Sequence, residues 1–230
     1  MRRLVLFDID GTLLSTDGRA GDALGRALAA TYGTTGPIAG YRFAGKTDPQ
    51  IVFELMGSAG ISRDVVAARL PEAFDAYCIH LERALKPANV RVLPGVHEIL
   101  AALERRGDTA LGLLTGNVRA GAEIKLGAAC LADRFAIGAF GSDDADRNRL
   151  VPVARARALE HWGDDFAGTR TVVVGDAEAD IRCARSGDAW AVAVASGKTP
   201  RDHLAALAPD ALLASLAAPE ALAALLGPTS

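Results

Sequence analysis

The chain has 230 residues, half of them hydrophobic and 23% charged, which is the composition of a folded globular protein and not of a disordered one. The formal net charge of −3 gives no electrostatic reason to expect a nucleic-acid partner, and no apolar run approaches the ~20 residues of a membrane span. The first residues do not form a signal-peptide pattern, and the 3 scattered cysteines favour reduced thiols and a cytoplasmic location.

The order of the predicted elements is typical of an α/β protein. The run RLVLFD near the N-terminus is short and apolar and ends in an acid, which predicts a buried first strand. Residues 19–86 then show helical spacing with little strand signal. The remainder alternates between strand and helix patterns, which favours a parallel sheet with helices on both faces. We therefore predict a Rossmann-like doubly wound core over residues 1–15 and 92–230, and an all-helical domain inserted over residues 16–91.

Several element boundaries follow from local signals. Asp48 is a candidate N-cap, with Pro49 at the first helical position of the next helix. Pro71 is expected to interrupt the helix that follows. Further along, TALGLLTG, AIGAFG, TRTVVVGD and AWAVAVASG predict strands, and residues 119–135 predict a helix. The C-terminal stretch predicts one last short strand and helix.

The segment GYRFAGKT, residues 40–47, fits the pattern of the phosphate-binding loop in P-loop nucleotidases. A true P-loop follows a buried strand, but the preceding GTTGPIA is poor in β-branched and aromatic residues. Gly40 also lies within the predicted helical insert. We therefore favour a loop between two insert helices. The alternative, a P-loop nucleotidase, predicts nucleotide binding that is lost on Lys46→Ala.

Polar side chains follow three of the predicted strands, where the ligands of a doubly wound sheet bind. These residues are Asp8 and Asp10, then Thr115, Gly116 and Asn117, then Asp176 and Asp180. Four carboxylates in one crevice repel one another unless a cation or a proton compensates. Oxygen ligands without paired histidine or cysteine favour Mg²⁺ over Zn²⁺. The sequence therefore predicts a magnesium site at this edge of the sheet.

The ordered motifs DIDGT, LLTGN and GDAEAD resemble the signature motifs of the haloacid dehalogenase-like hydrolase superfamily, over essentially the whole chain. The helical insert after the first motif resembles the C1-type cap of phosphoglycolate phosphatase-like members. The resemblance implies that Asp8 is the nucleophile that forms an aspartyl-phosphate, and that Asp10 is the general acid–base. It also implies Mg²⁺ bound by Asp8, the backbone carbonyl of Asp10 and Asp176, with Asp180 as an anchor or an indirect ligand. Gly11 would let the chain turn sharply after the first motif.

The resemblance also assigns the phosphate-binding groups. Thr115 would hydrogen-bond a phosphoryl oxygen, and the backbone N–H groups of Gly116 and Asn117 would assist it. Many relatives have a lysine before the helix that precedes the last motif, and SDDADRNRLVPVA lacks one. Arg147 is the first candidate for that role, ahead of the two alternatives, Arg149 and Lys125.

Residues of the insert are candidates for choosing the substrate. In C1-capped members the cap closes over the site, so Arg42, Lys46 and Thr47 are predicted to touch a carboxylate or second phosphate of the substrate. Segments 15–18 and 87–94 would be the connections through which the cap moves.

The predicted function is a Mg²⁺-dependent phosphatase that acts on a small phosphomonoester, such as phosphoglycolate or a sugar phosphate. A β-phosphoglucomutase-like phosphotransferase shares nearly every motif, and a non-catalytic phosphate- or metal-binding regulator is the third possibility. The expected partner is a small phosphorylated metabolite, and no nucleic-acid or membrane partner is expected. The protein is expected to be a monomer or a small homo-oligomer.

Overall fold

A computed structural model describes residues 2–227 and contains a six-stranded parallel sheet. The strand order is β5-β4-β1-β6-β7-β8, with a separate antiparallel pair formed by β2 and β3. The strands are β1 Arg3–Phe7, β2 Leu14–Ser15, β3 Arg91–Val92, β4 Thr109–Leu114, β5 Ile137–Ala139, β6 Thr171–Gly175, β7 Trp190–Val194 and β8 Ala211–Leu213. The predicted doubly wound α/β architecture is confirmed.

The central strands are apolar along their whole length because helices cover both faces of the sheet. In β1, Val5 and Phe7 belong to the hydrophobic cluster on one face, and Leu4 and Leu6 belong to the cluster on the other. All four side chains are fully buried. This alternation leaves the residues directly after the strand as the first positions where a polar side chain is tolerated.

The first three helices lie between β2 and β3 and form the predicted helical insert. The described part of the chain contains no helix long and apolar enough to cross a membrane. The helices are α1 Arg19–Tyr32, α2 Asp48–Ser58, α3 Arg63–Ala84, α4 Val96–Arg105, α5 Arg119–Ala128, α6 Leu150–Trp162, α7 Glu178–Ser186, α8 Arg201–Ala206 and α9 Ala221–Leu226.

Two expected boundaries in the insert were wrong. Helix α3 continues through Pro71, because buried residues such as Val66 and Tyr77 pack on both sides of the proline and stabilise both halves. Helix α2 is capped by Thr47 and not by Asp48, since the Thr47 hydroxyl accepts a hydrogen bond from the Gln50 N–H at 3.2 Å.

Other boundaries differ in the second half of the chain. The helix predicted over residues 119–135 ends at Ala128, because Cys130 adopts a positive φ of 56° and stops it. The short strands β2 and β3 were not predicted, since two-residue strands carry no periodic signal. Helix α8 was not predicted either. The last strand and helix, β8 and α9, are present as expected.

Candidate active site

Three carboxylates meet at the carboxyl edge of the sheet. Asp8 follows β1, Asp176 follows β6, and Asp180 lies in the first turn of α7. One oxygen of each lies within 4.8 Å of the other two, and all three side chains are buried. They come together because β1 and β6 are neighbours in the sheet. Asp10 lies beside this cluster with its carboxylate turned to other partners.

Burial and mutual repulsion disfavour negative charge in this cluster. Burial, with the charges of Asp180 and Asp8, raises the pKa of Asp176 to about 8. Burial also raises the pKa of Asp180, although the charge of Arg147 opposes this shift. Among residues 2–227, no histidine or cysteine joins the cluster. An oxygen-only donor set that needs positive charge fits Mg²⁺, which Asp8 and Asp176 would hold.

Arg147 is the candidate cation that the structure places inside the cluster. Its guanidinium lies 3.0 Å from Oδ1 of Asp8 and also pairs with Oδ1 of Asp180. Burial alone would lower the pKa of Arg147, but the two carboxylates outweigh burial and raise it above its usual range. Arg149, in contrast, is exposed and pairs with Asp144 on the surface at 3.5 Å. Of these two arginines, only Arg147 reaches the nucleophile candidate.

Both oxygens of Asp180 are occupied by protein donors. Oδ1 accepts from Arg147, and Oδ2 accepts from the Ala177 N–H at 2.9 Å. A methyl group at Gly175 would lie 2.0 Å from the Asp180 carboxyl carbon, so glycine is required at the end of β6. These contacts favour the anchoring role among the two that the sequence left open for Asp180.

Lys125 reaches the site from an unexpected distance and contacts Asp10. Its ammonium donates to Oδ2 of Asp10 at 2.6 Å and to Oδ1 of Asn117 at 2.5 Å. The Asn117 amide donates to the same Asp10 oxygen at 2.9 Å and to the Thr115 hydroxyl at 2.8 Å. The sequence ranked Lys125 behind the two arginines because it lies about two turns into α5. Its side chain still reaches the site because helical side chains lean toward the N-terminus of their helix.

The environment of Lys125 includes acidic groups from the insert. Burial would lower the pKa of Lys125, but the charges of Asp10 and Asp48 raise it above its usual range. Tyr77 lies in α3, is buried, and packs where a side chain at Gly121 would stand, 3.2 Å away. Tyr77 and Asp48 were not predicted as site residues, because Asp48 was expected only as a helix N-cap and Tyr77 only as part of an insert helix.

The loop after β7 closes the site from the other side and was also missed. A Cβ at Gly197 would lie 1.6 Å from Oδ2 of Asp176, and one at Gly11 would lie 2.5 Å from the same atom. The Ser196 hydroxyl donates to the Gly11 carbonyl at 2.7 Å. Gly11 also has a φ of 88°, so it provides the predicted sharp turn and the close approach to Asp176.

The loop GYRFAGKT packs directly on the core. The Asp48 N–H donates to the Gly116 carbonyl at 2.7 Å, and the Thr47 hydroxyl donates to the Ala145 carbonyl at 2.8 Å. A methyl group at Gly45 would lie 2.7 Å from the Cβ of Ala179, and one at Gly116 would lie 2.1 Å from a backbone oxygen of the loop. The insert is therefore in contact with the loops that carry the polar clusters.

The basic residues of this loop are not turned into the carboxylate cluster. The Lys46 ammonium pairs with Glu54, donates to the Tyr41 hydroxyl at 3.0 Å and lies over the Tyr41 ring. Arg42 is exposed and makes no hydrogen bond or ion pair with the residues that the structure describes. No strand lies directly before Gly40, as the choice of an insert loop over a P-loop requires.

Asp48 is a buried carboxylate at the contact between the insert and the core. Its Oδ2 accepts from the Val118 N–H at 2.8 Å. Burial raises the pKa of Asp48 to about 6, although the charge of Lys125 and the Val118 hydrogen bond oppose this shift and the charge of Asp10 supports it. Ionised Asp48 is therefore costly in the folded state.

We expect Asp48→Asn to stabilise the protein at pH 8 and to change its stability little at pH 4. The folded-state pKa of about 6 is above the ordinary value of 3.8, so the cost appears as the pH rises through this window. The difference between these two pKa values corresponds to a full cost of roughly 3 kcal/mol. Asparagine keeps an acceptor for Val118, so a gain of about 1–3 kcal/mol in unfolding free energy is expected in urea titrations at pH 8.

Asp143→Asn is the matched control with the opposite sign. Burial opposes the shift, but hydrogen bonds from Arg157 and from the Phe140 N–H lower the pKa of Asp143. Removing the Asp143 carboxylate should therefore destabilise the protein at pH 8. Destabilisation by Asp48→Asn at pH 8 would mean that the charged hydrogen bond to Val118 outweighs the cost of burial.

Comparisons with known proteins agree with the fold and the motifs. The family profile of the haloacid dehalogenase-like hydrolases matches residues 5–185. The chain is 32% identical over 230 residues to a plasmid phosphoglycolate phosphatase of Cupriavidus necator, with 97% of this chain and 93% of that protein covered. It is 30% identical over 215 residues to a phosphoglycolate phosphatase of Mesorhizobium japonicum, with 92% and 90% covered.

Solved structures show the same fold at lower sequence identity. A hydrolase from Pseudomonas syringae superposes with a TM-score of 0.70 at 21% identity, over 94% of this chain and 95% of that one. The profile covers the strands that carry all three polar clusters, and the two curated relatives are phosphatases. The resemblance drawn from the motifs is thus confirmed, and the chain belongs to the haloacid dehalogenase-like hydrolases.

Proposed function

We propose that this hydrolase is a Mg²⁺-dependent phosphatase that releases phosphate from a small phosphomonoester through an aspartyl-phosphate at Asp8. The observation that carries the proposal is the buried cluster of Asp8, Asp176 and Asp180 with Arg147 at the carboxyl edge of the sheet. Both curated relatives described above are phosphoglycolate phosphatases, which supports a small phosphorylated metabolite as substrate.

Asp8 is the nucleophile of the proposed reaction. Its carboxylate attacks phosphorus, the ester oxygen leaves, and water later hydrolyses the aspartyl-phosphate, so that one difficult displacement becomes two easier ones. Arg147 contacts Asp8 and fixes its orientation. Bound Mg²⁺, held by Asp8, Asp176 and the backbone carbonyl of Asp10, would shield the nucleophile from the phosphate and offset charge in the transition state.

Asp10 is the proposed general acid–base. It would protonate the leaving oxygen in the first step and take a proton from the attacking water in the second. Its side chain is 40% exposed, which leaves it accessible to a leaving group and to water. Thr115, with the N–H groups of Gly116 and Asn117, would bind the phosphoryl oxygens just before α5 begins.

The helical insert, residues 16–91, is the proposed cap over the core of residues 1–15 and 92–230. The GYRFAGKT loop contacts the loops after β4 and β5, as a closed cap would. Lys46 is engaged within the insert in this arrangement, so Arg42 is the better placed of the two to meet a substrate from outside. The proposed phosphatase is a cytoplasmic protein and acts as a monomer or a small homo-oligomer.

The experiment is phosphate release from p-nitrophenyl phosphate and from a panel of alkyl phosphomonoesters that includes phosphoglycolate. We expect turnover with Mg²⁺, loss of turnover in EDTA, and recovery when Mg²⁺ is added back, because the carboxylate cluster needs a cation to bind a phosphate dianion. Isothermal titration of Mg²⁺ into the wild type and Asp176→Asn provides the control, and the variant should bind at least ~10-fold more weakly.

Product analysis separates the alternatives. A β-phosphoglucomutase-like phosphotransferase would return an isomer of a sugar phosphate without net phosphate release. A regulator on the same scaffold would bind Mg²⁺ without turnover of any ester. Phosphate release that persists unchanged in EDTA after metal removal would contradict the magnesium requirement.

A further inference from the structure

Two donors bind the same oxygen of the Asp10 carboxylate. The Lys125 ammonium lies 2.6 Å from Oδ2, and the Asn117 amide nitrogen lies 2.9 Å from it. The two donors also bind each other, because the Asn117 carbonyl accepts from Lys125 at 2.5 Å. The three side chains thus form a closed triangle, and in the described chain no hydrogen bond involves Oδ1 of Asp10.

Core packing does not explain a lysine at this place. The Lys125 side chain is 4% exposed, and burial of an ammonium group is costly unless it is paired. Its flanking helix residues Ala122 and Leu126 are apolar and buried, so a leucine or methionine would serve packing at lower cost. The charged ammonium group is explained instead by its hydrogen bonds to Asp10 and Asn117.

The triangle also holds the polar loop after β4, because Asn117 belongs to this loop. Asn117 is held by Lys125 on its carbonyl side, and its amide donates to Asp10 and to Thr115, the proposed phosphate ligand. Lys125 therefore connects the side chain proposed to move the proton with the side chain proposed to hold the phosphoryl group. Orientation of this kind contributes to rate when it places a proton donor near the leaving atom.

We propose that Lys125 is a positioning residue that, together with Asn117, holds Asp10 by Oδ2 and leaves Oδ1 to carry the proton to the leaving oxygen. This inference rests on the proposed function, since it assumes that Asp10 is the general acid. In the step itself the P–O bond to the leaving group breaks, the electron pair stays on the leaving oxygen, and that oxygen takes the proton from Oδ1. Lys125 keeps its own proton throughout.

The test compares two leaving groups in Lys125→Met, a variant of similar size without charge. p-Nitrophenolate is a stable anion that leaves without a proton, whereas an alkoxide needs one. We compare kcat/KM, because hydrolysis of the aspartyl-phosphate is the same for both esters and kcat/KM reports only the steps up to phosphoryl transfer. We expect kcat/KM on the fastest alkyl phosphomonoester of the panel to fall about 100-fold, and kcat/KM on p-nitrophenyl phosphate to fall less than ~10-fold. A purely structural role would lower both rates by the same factor, and equal losses would overturn the inference.

Two further variants secure this result. In Asp10→Asn the general acid is absent, so adding Lys125→Met should cost less than ~3-fold more on the alkyl ester. A fully additive loss would show that Lys125 acts independently of Asp10. If Lys125→Met does not fold, the same substrate ratio is measured in Lys125→Gln, which keeps a neutral donor and should show an intermediate change; an unchanged ratio there would reject the inference.

The outcomes also distinguish this inference from the proposed function. If the wild type releases no phosphate from either ester, or if release does not depend on Asp8, the proposed function fails and the inference fails with it. If release depends on Asp8 and the leaving-group ratio is the same in wild type and Lys125→Met, only the role of Lys125 is rejected.

Discussion

Asp8→Asn is expected to abolish turnover, with kcat reduced by about 10⁴-fold or more on every phosphomonoester. The asparagine amide has the same shape as the carboxylate but is a very poor nucleophile toward phosphorus. Asp8 is buried at the end of β1, and its only ion pair is with Arg147 in the part of the chain that the structure describes. Steady-state phosphate release and thermal unfolding of the same preparation measure the effect and exclude misfolding.

The covalent intermediate provides a second readout for this variant. Rapid quench of the wild type with an alkyl ester, followed by mass spectrometry of the N-terminal peptide, should show a phosphoryl group on Asp8 that is absent in Asp8→Asn. Asp144→Asn is the control. Asp144 pairs with exposed Arg149 and accepts a hydrogen bond from the Asp146 N–H, and within residues 2–227 it is not part of the carboxylate cluster. Retention of more than a tenth of the activity in Asp8→Asn would rule out covalent catalysis at this residue.

The parts of the site that the sequence predicts well are those fixed by the sheet. A polar residue directly after a buried parallel strand has one possible place, the carboxyl edge, so Asp8 and Asp176 could be assigned from the pattern alone. Adjacent strands then bring them together, as the pairing of β1 with β4 and β6 shows. The alternation of strand and helix also gave the fold class.

The parts that could not be predicted depend on side-chain direction and on packing between distant segments. Lys125 was judged by its place along α5, but its long side chain runs back toward the helix start and ends at Asp10. Gly197 and Asp48 touch the site only because the β7 loop and the insert fold onto it. Such contacts leave no periodic signal, and the lone glycine or aspartate that makes them looks like any loop residue.

Arg147→Met is expected to have the second largest effect, on stability as well as on activity. It removes the guanidinium that pairs with buried Asp8 and Asp180, and loss of one partner from a buried ion pair costs about 3–5 kcal/mol. This loss of unfolding free energy should become smaller as the pH falls, because protonated carboxyl groups no longer need a cation beside them. Urea unfolding at pH 8 and pH 5 measures both the loss and its pH dependence. We also expect kcat to fall by about 10²–10³-fold, as when a preorganised donor is removed from an active site.

Arg147→Lys separates charge from geometry. Lysine keeps the positive charge but lacks the planar fork, in which Nη2 of Arg147 contacts both carboxylates and Nη1 donates to the Gly45 carbonyl at 3.4 Å. If charge alone matters, Arg147→Lys should recover most of the stability and activity, as expected for the lysine that relatives have in this region. If the fork matters, stability should recover while KM rises, because the contact to the insert loop through Gly45 is lost. Full activity in Arg147→Met would show that turnover needs neither the charge nor the fork of Arg147.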